Sequence, residues 1–178
     1  GLDGLRDRLK KYYELGARFT KWRGVYNIGK KYPSKLAINS NAHALARYSA
    51  LAQESGMVPI VEPEVLMDGE HSADECLIKT SEVIKKCFEE LIIHKIDLTG
   101  VILKPNMILA GNKSKNKISN EEVASKTLEC LKKSVPNEVP GIAFLSGGQS
   151  EIEATENLNL INKNNDTNFI MTYSYGRA

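Results

Sequence analysis

A lysine stands at the end of an apolar run in the sequence VILKPNM, residues 101–107. Apolar runs of this kind usually enter the protein interior, whereas lysine usually stays at the surface. An amine that is shielded from water and close to other cations loses its proton more readily, and the free amine can attack a ketone to form an imine. Lys104 is therefore a candidate nucleophile, although a lone lysine at a strand end is more often a surface or ion-pair residue.

Charged side chains at two other strands would support imine chemistry at Lys104. Lys21 and Arg23 would supply neighbouring positive charge, and Glu62 and Glu64 lie two positions apart, which places them on one face of a strand. Imine formation needs a proton donor because the carbinolamine must lose water, and a carboxylate in an enclosed site can be that donor. The two glutamates could instead be ion-pair partners of the two basic residues.

A glycine-rich segment, LSGGQS, follows another apolar run. The backbone N–H groups of Ser146, Gly147 and Gly148 would lie just before a helix N-terminus and form an anion cradle. The segment could also be an ordinary turn. Its GGQ tripeptide occurs in peptide-release factors, but there it lies in an exposed basic loop. Gly176 and Arg177 offer a second group of phosphate donors, so the set predicts an imine-forming enzyme acting on a phosphorylated carbonyl compound.

Strands and helices alternate along the chain. Most of the expected strands are continuous apolar runs, which is typical of strands that are covered on both faces, and helical crossovers make neighbouring strands parallel. The class is therefore α/β. The expected strands begin near residues 20, 57, 101, 141 and 168, and the expected helices span 3–17, 40–55, 72–93, 119–134 and 149–162.

Two architectures fit this alternation, a doubly wound open sheet and a (β/α)8 TIM barrel. The sequence has no GxGxxG after a strand, which disfavours a Rossmann-type sheet. A full barrel needs about 250 residues and eight strands. On the barrel interpretation, residues 1–178 are one partial barrel domain that holds the later five strands, with the N-terminal strands missing. In both architectures the carboxyl ends of the strands host the chemistry.

Composition excludes several classes of function. The net charge of +2 gives no support to a nucleic-acid or membrane role, and no apolar stretch is long enough to span a bilayer. Three widely spaced cysteines suggest no disulfide framework and fit a reducing compartment. His43, His71 and His94 are isolated in sequence, without the HxxxH or Cys/His spacing of a metal site, so we expect no metal.

Long motifs of this chain resemble those of class I fructose-bisphosphate aldolases. They are KWR, VPIVEPEVL.DGEH, ILKPNM, FLSGGQSE.EAT.NLN and YGRA, and the resemblance runs over residues 1–178. It implies a (β/α)8 barrel that cleaves fructose 1,6-bisphosphate to dihydroxyacetone phosphate and glyceraldehyde 3-phosphate in glycolysis. It also implies a cytoplasmic enzyme that needs no cofactor or metal, a homo-tetramer, and possible binding to actin or another cytoskeletal adaptor.

The resemblance also implies roles for individual residues. Lys104 would be the Schiff-base lysine, and Glu62 the acid/base for carbinolamine dehydration and for proton transfer during C–C cleavage. Glu64 would support the lysine, Lys21 would be a cation of the central site, and Arg23 would lie near the phosphate of the aldehyde half. The ketone-side phosphate and its flanking strand would involve Ser146, Gly147, Gly148, Ser174, Gly176 and Arg177. The family's catalytic Asp, a further Lys and a tail Tyr would lie outside this chain.

Two other functions remain open at this point. The first is a non-catalytic scaffold that uses the same fold to bind cytoskeletal partners. The second is another Schiff-base barrel lyase that acts on a different sugar phosphate. The sequence also leaves open the isoform and the preference between fructose 1,6-bisphosphate and fructose 1-phosphate.

Overall fold

A computed structural model of the chain describes residues 1–176, and these contain five α-helices and five strands in alternation, with a short 3-10 helix at Leu98–Gly100 before the third strand. Each expected element is present, with bounds that differ by a few residues. The helices are α1 Leu5–Glu14, α2 Lys35–Glu54, α3 Ala73–Ile93, α4 Asn120–Ser134 and α5 Glu151–Lys163. The strands are β1 Phe19–Tyr26, β2 Val58–Val65, β3 Ile102–Leu103, β4 Gly141–Phe144 and β5 Ile170–Tyr173.

All neighbouring strands in the five-stranded sheet are parallel, and their order is β1-β2-β3-β4-β5. Each helix packs against the next helix in the chain, from α1 to α5. A doubly wound sheet reverses its strand order at a switch point, whereas a barrel adds its strands consecutively. The observed order therefore has the winding of part of a (β/α)8 barrel and confirms the predicted fold class.

Serine caps set the starts of the long helices. Ser72, Ser119 and Ser150 each accept a hydrogen bond from the backbone of a glutamate three residues later, and that glutamate side chain accepts one in return. α2 begins at Lys35, five residues earlier than expected, because Ser34 caps it by accepting from a backbone N–H.

The segment after β3 continues beside its neighbours. The N–H of Lys104 donates to the carbonyl oxygen of Val61 on β2 at 2.8 Å. The carbonyl oxygen of Pro105 then accepts from the N–H of Leu145 at 3.2 Å. Pro105 itself has no N–H to give to the ladder. The chain can therefore leave the sheet here while its last residues stay aligned with β2 and β4.

Asn106 connects the end of β2 to α3. Its Oδ1 accepts from the N–H of Val65 at 2.9 Å, and its Nδ2 donates to Oγ1 of Thr80 and to the carbonyl oxygen of Met107, each at 3.1 Å. Only 5% of Asn106 is exposed. Buried polar groups are costly unless they are paired, so this network fixes the position of the strand end.

An apolar core fills the space between the sheet and the helices, with buried members from all five α-helices and from β2 to β5, and with Trp22 of β1 packed against it. The edge strands are less covered: Phe19 on β1 is 65% exposed and Ile170 on β5 is 74% exposed. Within residues 1–176, β1 and β5 each pair on one side only. No helix in this range is both long and apolar enough to cross a membrane.

Replacement of the buried amide gives a stability test. We expect Asn106→Ala to lower the free energy of unfolding by about 2 kcal/mol or more, because the N–H of Val65 loses its acceptor in a buried setting. Urea unfolding followed by Trp22 fluorescence would measure this. The matched control is Asn116→Ala, an exposed position that we expect to change stability by less than about 0.5 kcal/mol. Equal losses in the two variants would contradict the role of Asn106.

Candidate active site

A cavity of about 450 Å³ opens at the carboxyl ends of the strands. Every predicted site residue that the structure describes lines this cavity. These residues are Lys21, Arg23, Glu62, Glu64, Lys104, Ser146, Gly147, Gly148, Ser174 and Gly176. Arg177, which was also predicted, lies outside the described residues. Side chains from all five strand ends therefore meet in one space, as expected for parallel strands.

A buried carboxylate lies between two amines at the centre of the cavity. Nζ of Lys104 is 3.3 Å from Oε1 of Glu62, and Nζ of Lys21 is 2.9 Å from Oε2 of the same residue. The side chain of Glu62 is 4% exposed and that of Lys104 is 11% exposed, whereas Lys21 is open to solvent. Within residues 1–176, Oε2 accepts no hydrogen bond, so the contact with Lys21 is an ion pair and the oxygen keeps a free lone pair.

The sheet register explains why these groups meet. Arg23 is the Cα partner of Glu62, and Val25 is the partner of Glu64, across β1 and β2. Side chains alternate between the two faces of a strand, so the two glutamates point the same way. Lys104 follows the last residue of β3 and stays hydrogen-bonded to β2. Its side chain therefore reaches the carboxylate on the neighbouring strand.

Arg23 and Glu64 form a second ion pair beside the first. Nε of Arg23 donates to Oε2 of Glu64, whose side chain is 7% exposed. This hydrogen bond raises the pKa of the Arg23 guanidinium, so the group stays charged. The ion-pair interpretation of the glutamates therefore holds, and the proton-donor role stays a prediction. They are ion-pair partners of Lys21 and Arg23, and Glu62 also contacts the candidate nucleophile.

The turn after β4 offers free backbone donors. Gly147 and Gly148 have φ angles of 62° and 83°, in the left-handed region that favours glycine. In the described part of the chain, the N–H groups of Ser146, Gly147 and Gly148 have no protein acceptor. α5 begins at Glu151, three residues after Gly148, and its capping box uses the N–H groups of Ser150 and Glu153. The contribution of this helix N-terminus to anion binding stays a prediction.

One wall of the cavity comes from residues that the sequence analysis missed. The loops after β2 and β3 are hydrogen-bonded together: the N–H of Asn112 donates to the carbonyl oxygen of Met67 at 2.7 Å, and the N–H of Gly69 donates to Oδ1 of Asn112 at 3.0 Å. Met67 covers the glycine turn. The added lining residues are Leu66, Met67, Asp68, Asn112 and Leu145. Their position after parallel strands was the available signal, since such loops gather at one end of the sheet.

The fold and this cavity define a class of protein. An amine that is shielded from water and paired with a carboxylate can form an imine with a carbonyl compound, because the carboxylate supplies the proton that the departing water needs. Unpaired backbone N–H groups a short distance away suit a phosphate. This arrangement is the one expected of a Schiff-base-forming α/β-barrel protein that acts on phosphorylated carbonyl compounds.

Sequence and structure comparisons identify the family. The family model described as "Glycolytic: Fructose-bisphosphate aldolase class-I" matches residues 1–178. The chain is 52% identical over 179 residues to fructose-bisphosphate aldolase 4, cytosolic, of Arabidopsis thaliana, covering 100% of this chain and 46% of the relative. It is 49% identical to a probable fructose-bisphosphate aldolase class 1 of Xanthomonas campestris, covering 100% of this chain and 53% of the relative.

A solved structure agrees with these relatives. Fructose-bisphosphate aldolase of Plasmodium falciparum, in a complex with TRAP and a small-molecule inhibitor, matches with a TM-score of 0.98 and 46% identity over 100% of this chain and 52% of that chain. The chain belongs to the class I fructose-bisphosphate aldolase family, which confirms the resemblance. It spans about half the length of the curated relatives that it matches.

The glycine turn gives a test of the anion cradle. A Cβ at Gly148 would lie 2.7 Å from Sδ of Met67 on a backbone with positive φ. We therefore expect Gly148→Ala to shift the turn and to weaken binding of inorganic phosphate by about tenfold or more, which is about 1.4 kcal/mol. Phosphorus NMR titration would measure the affinity.

The matched control for this test is Gly141→Ala. There the added Cβ would meet the carbonyl oxygen of Ile170 at 3.8 Å, an ordinary contact at the far end of β4. Circular dichroism would show that both variants are folded. Unchanged phosphate affinity in a folded Gly148→Ala variant would count against the cradle.

Proposed function

We propose that this chain forms the imine-bearing part of a class I fructose-bisphosphate aldolase. That enzyme cleaves fructose 1,6-bisphosphate to dihydroxyacetone phosphate and glyceraldehyde 3-phosphate, as part of glycolysis. The observation that carries the proposal is the contact between Nζ of Lys104 and Oε1 of Glu62 at 3.3 Å in a site where both side chains are buried. The family match over residues 1–178 supports the reaction and the substrate.

The first chemical step would be imine formation at Lys104. The amine passes a proton to Glu62 and attacks the C2 carbonyl carbon, forming a carbinolamine. Glu62 then protonates the carbinolamine oxygen, which leaves as water, and the C=N bond forms. Lys21 holds the second oxygen of Glu62 at 2.9 Å, so the carboxylate stays aimed at the reacting atoms while it changes protonation state.

The second step would be cleavage of the bond between C3 and C4. The protonated imine withdraws the electron pair of that bond, and a base takes the proton of the C4 hydroxyl as the aldehyde product leaves. Oε2 of Glu62 has a lone pair free for that proton. The remaining enamine takes a proton at C3, and water hydrolyses the imine to release the ketone product and the free Lys104.

The other lining residues would hold the substrate. Arg23, which is positioned by Glu64, would lie near the phosphate of the aldehyde half. The other phosphate would take backbone N–H groups of Ser146, Gly147 and Gly148. Ser174 and Gly176, which line the cavity beside them, complete the proposed phosphate-binding set, together with Arg177 outside the described residues. The chemistry uses the lysine in place of a metal or an organic cofactor.

Other proposed properties rest on the relatives. Two Arabidopsis relatives and one spinach relative are named as cytosolic or cytoplasmic enzymes, which supports a cytoplasmic location for this chain. The interpretation of residues 1–178 as one partial barrel domain is supported by the continuous sheet. The homo-tetramer that the family resemblance implies stays a prediction, which light scattering on the purified protein would measure.

A scaffold function is the second candidate. The matching Plasmodium falciparum aldolase was solved in a complex with TRAP, so that aldolase has a protein partner. The enzyme is favoured over the scaffold because the buried Lys104–Glu62 pair and the N–H groups of the glycine turn lie in one cavity. Pull-down with actin, together with a turnover assay, would separate the two functions.

A different sugar phosphate as substrate is disfavoured by the named relatives, and comparative turnover would detect it.

Covalent trapping tests the proposed nucleophile. Borohydride reduction in the presence of fructose 1,6-bisphosphate should leave a stable adduct, and peptide mapping should place it on Lys104. Imine formation needs only groups on this chain, so trapping is expected even if turnover requires residues outside it. Lys104→Met should abolish the adduct. The control Lys79→Met removes a surface lysine that pairs with Glu82 on α3 and should leave the adduct yield unchanged. An adduct that maps elsewhere would reject the proposal.

The proton donor has its own test. Glu62→Gln removes the transferable proton and should slow formation of the trapped adduct by about 10²–10⁴-fold, the usual contribution of general acid–base catalysis. Glu82→Gln, which changes a surface glutamate on α3, is the matched control and should keep the wild-type rate. Time-resolved quenching with borohydride gives the rate. A wild-type rate in a folded Glu62→Gln variant would remove Glu62 from the mechanism.

A further inference from the structure

Two of the three histidines meet on the outer helical layer, although they are far apart in sequence. His43 lies on α2, while Glu90 and His94 lie one turn apart at the end of α3. Each of the three offers one ligand atom, and these atoms lie within 4.8 Å of one another. The two imidazole rings are 5.0 Å apart and meet edge to face. None of the three lines the candidate active site.

The carboxylate of Glu90 is oriented toward the two rings. Its Oε1 pairs with Nζ of Lys86 at 3.0 Å, which leaves Oε2 facing the histidines. Oε2 lies 3.2 Å from Nδ1 of His43 and 3.9 Å from Nδ1 of His94. The hydrogen bond from Lys86 is the main cause of a lowered pKa at Glu90, so the carboxylate is ionised at neutral pH.

A backbone contact orients the ring of His94. Its Nδ1 lies 2.8 Å from the carbonyl oxygen of Glu90, one turn earlier in the helix. Donation of the Nδ1 proton to that carbonyl leaves Nε2 of His94 as the ligand atom with a free lone pair, on the same ring as the Nδ1 atom that lies 3.9 Å from Oε2. Metal-binding histidines usually donate their second ring N–H to a carbonyl or a carboxylate in this way, which fixes the tautomer and the ring orientation.

The ligand set points to a particular class of cation. Two imidazoles and one carboxylate suit Zn²⁺ and its neighbours in the first transition row, whereas Mg²⁺ and Ca²⁺ prefer oxygen ligands alone. Bond lengths of about 2.0–2.2 Å place tetrahedral ligands about 3.3–3.6 Å apart. Nδ1 of His43 and Oε2 of Glu90 are 3.2 Å apart, close to this range, and the exposed ring of His43 can turn toward His94. We propose that His43, Glu90 and His94 bind one Zn²⁺ ion, with water in the remaining position.

Metal binding would clamp α2 to α3. These two helices pack on β1 and β2, the strands that carry Lys21, Arg23, Glu62 and Glu64. A ligand that binds only the folded chain raises its stability in proportion to the logarithm of the ligand concentration over Kd. Zn²⁺ should therefore raise the unfolding temperature. Mg²⁺ should leave it unchanged.

A titration with ZnCl₂ tests the proposal directly. Competition with a chromophoric zinc chelator should show one equivalent bound by the wild-type chain. His43→Ala, Glu90→Gln and His94→Ala should each weaken that binding by at least about tenfold. The control Glu89→Gln removes a neighbouring carboxylate that also contacts Lys86 but lies outside the cluster, and it should bind as the wild type does.

Two outcomes would overturn the proposed site. One is the absence of stoichiometric binding by the folded wild-type chain. The other is wild-type affinity in the His43→Ala/His94→Ala double variant, since that variant keeps the buried His71 and the three buried cysteines as alternative ligands. His43 is exposed, so its replacement should leave the fold intact, and thermal unfolding without metal would verify this. A rise of the unfolding temperature with Zn²⁺ that is lost in the double variant would support the clamp.

Discussion

The ion pair between Lys104 and Glu62 is the interaction on which the rest of the site depends. Charged groups are expensive to bury, and removing one partner of a buried pair typically costs about 3–5 kcal/mol. Each group therefore needs the other in the observed position, where Nζ and Oε1 are 3.3 Å apart. The same requirement that stabilises the pair also keeps an amine and a carboxylate in contact, which is the arrangement that the proposed imine formation would need.

The surrounding fold supplies this geometry through backbone contacts. The N–H of Lys104 is bonded to Val61, and Asn106 holds the end of β2 at the N–H of Val65. These two contacts bracket Glu62 and fix its strand relative to the lysine. The hydrogen bonds of Asn106 therefore help to position the site as well as to stabilise the core, although Asn106 does not line the cavity. Position along the sheet, more than local propensity, decides which residues meet in the cavity.

The strand-end residues could be predicted from sequence because parallel strands bring their carboxyl ends to one edge. The remaining contacts could not, since they depend on distances across the fold. Asn112 and Gly69 are 43 residues apart, and no local pattern pairs their loops. The same holds for His43 and Glu90, which are 47 residues apart. The start of α5, in contrast, has a local signal in the sequence. The S-x-x-E pattern at Ser150 is typical of a capped helix, and such a helix begins after the glycine turn.

Charge balance constrains how the cavity can bind an anionic substrate. Among the described residues, the basic lining side chains are Lys21, Arg23 and Lys104, and the acidic ones are Glu62, Glu64 and Asp68. Among these described residues opposite charges are equal in number and mostly paired, so their net attraction alone would not hold a phosphate. Binding would then depend on directed hydrogen-bond donors, such as the free N–H groups of the glycine turn. These groups can bind a phosphate without first breaking a hydrogen bond within the described part of the protein. A phosphate at Arg23 would instead compete with Glu64 for the guanidinium.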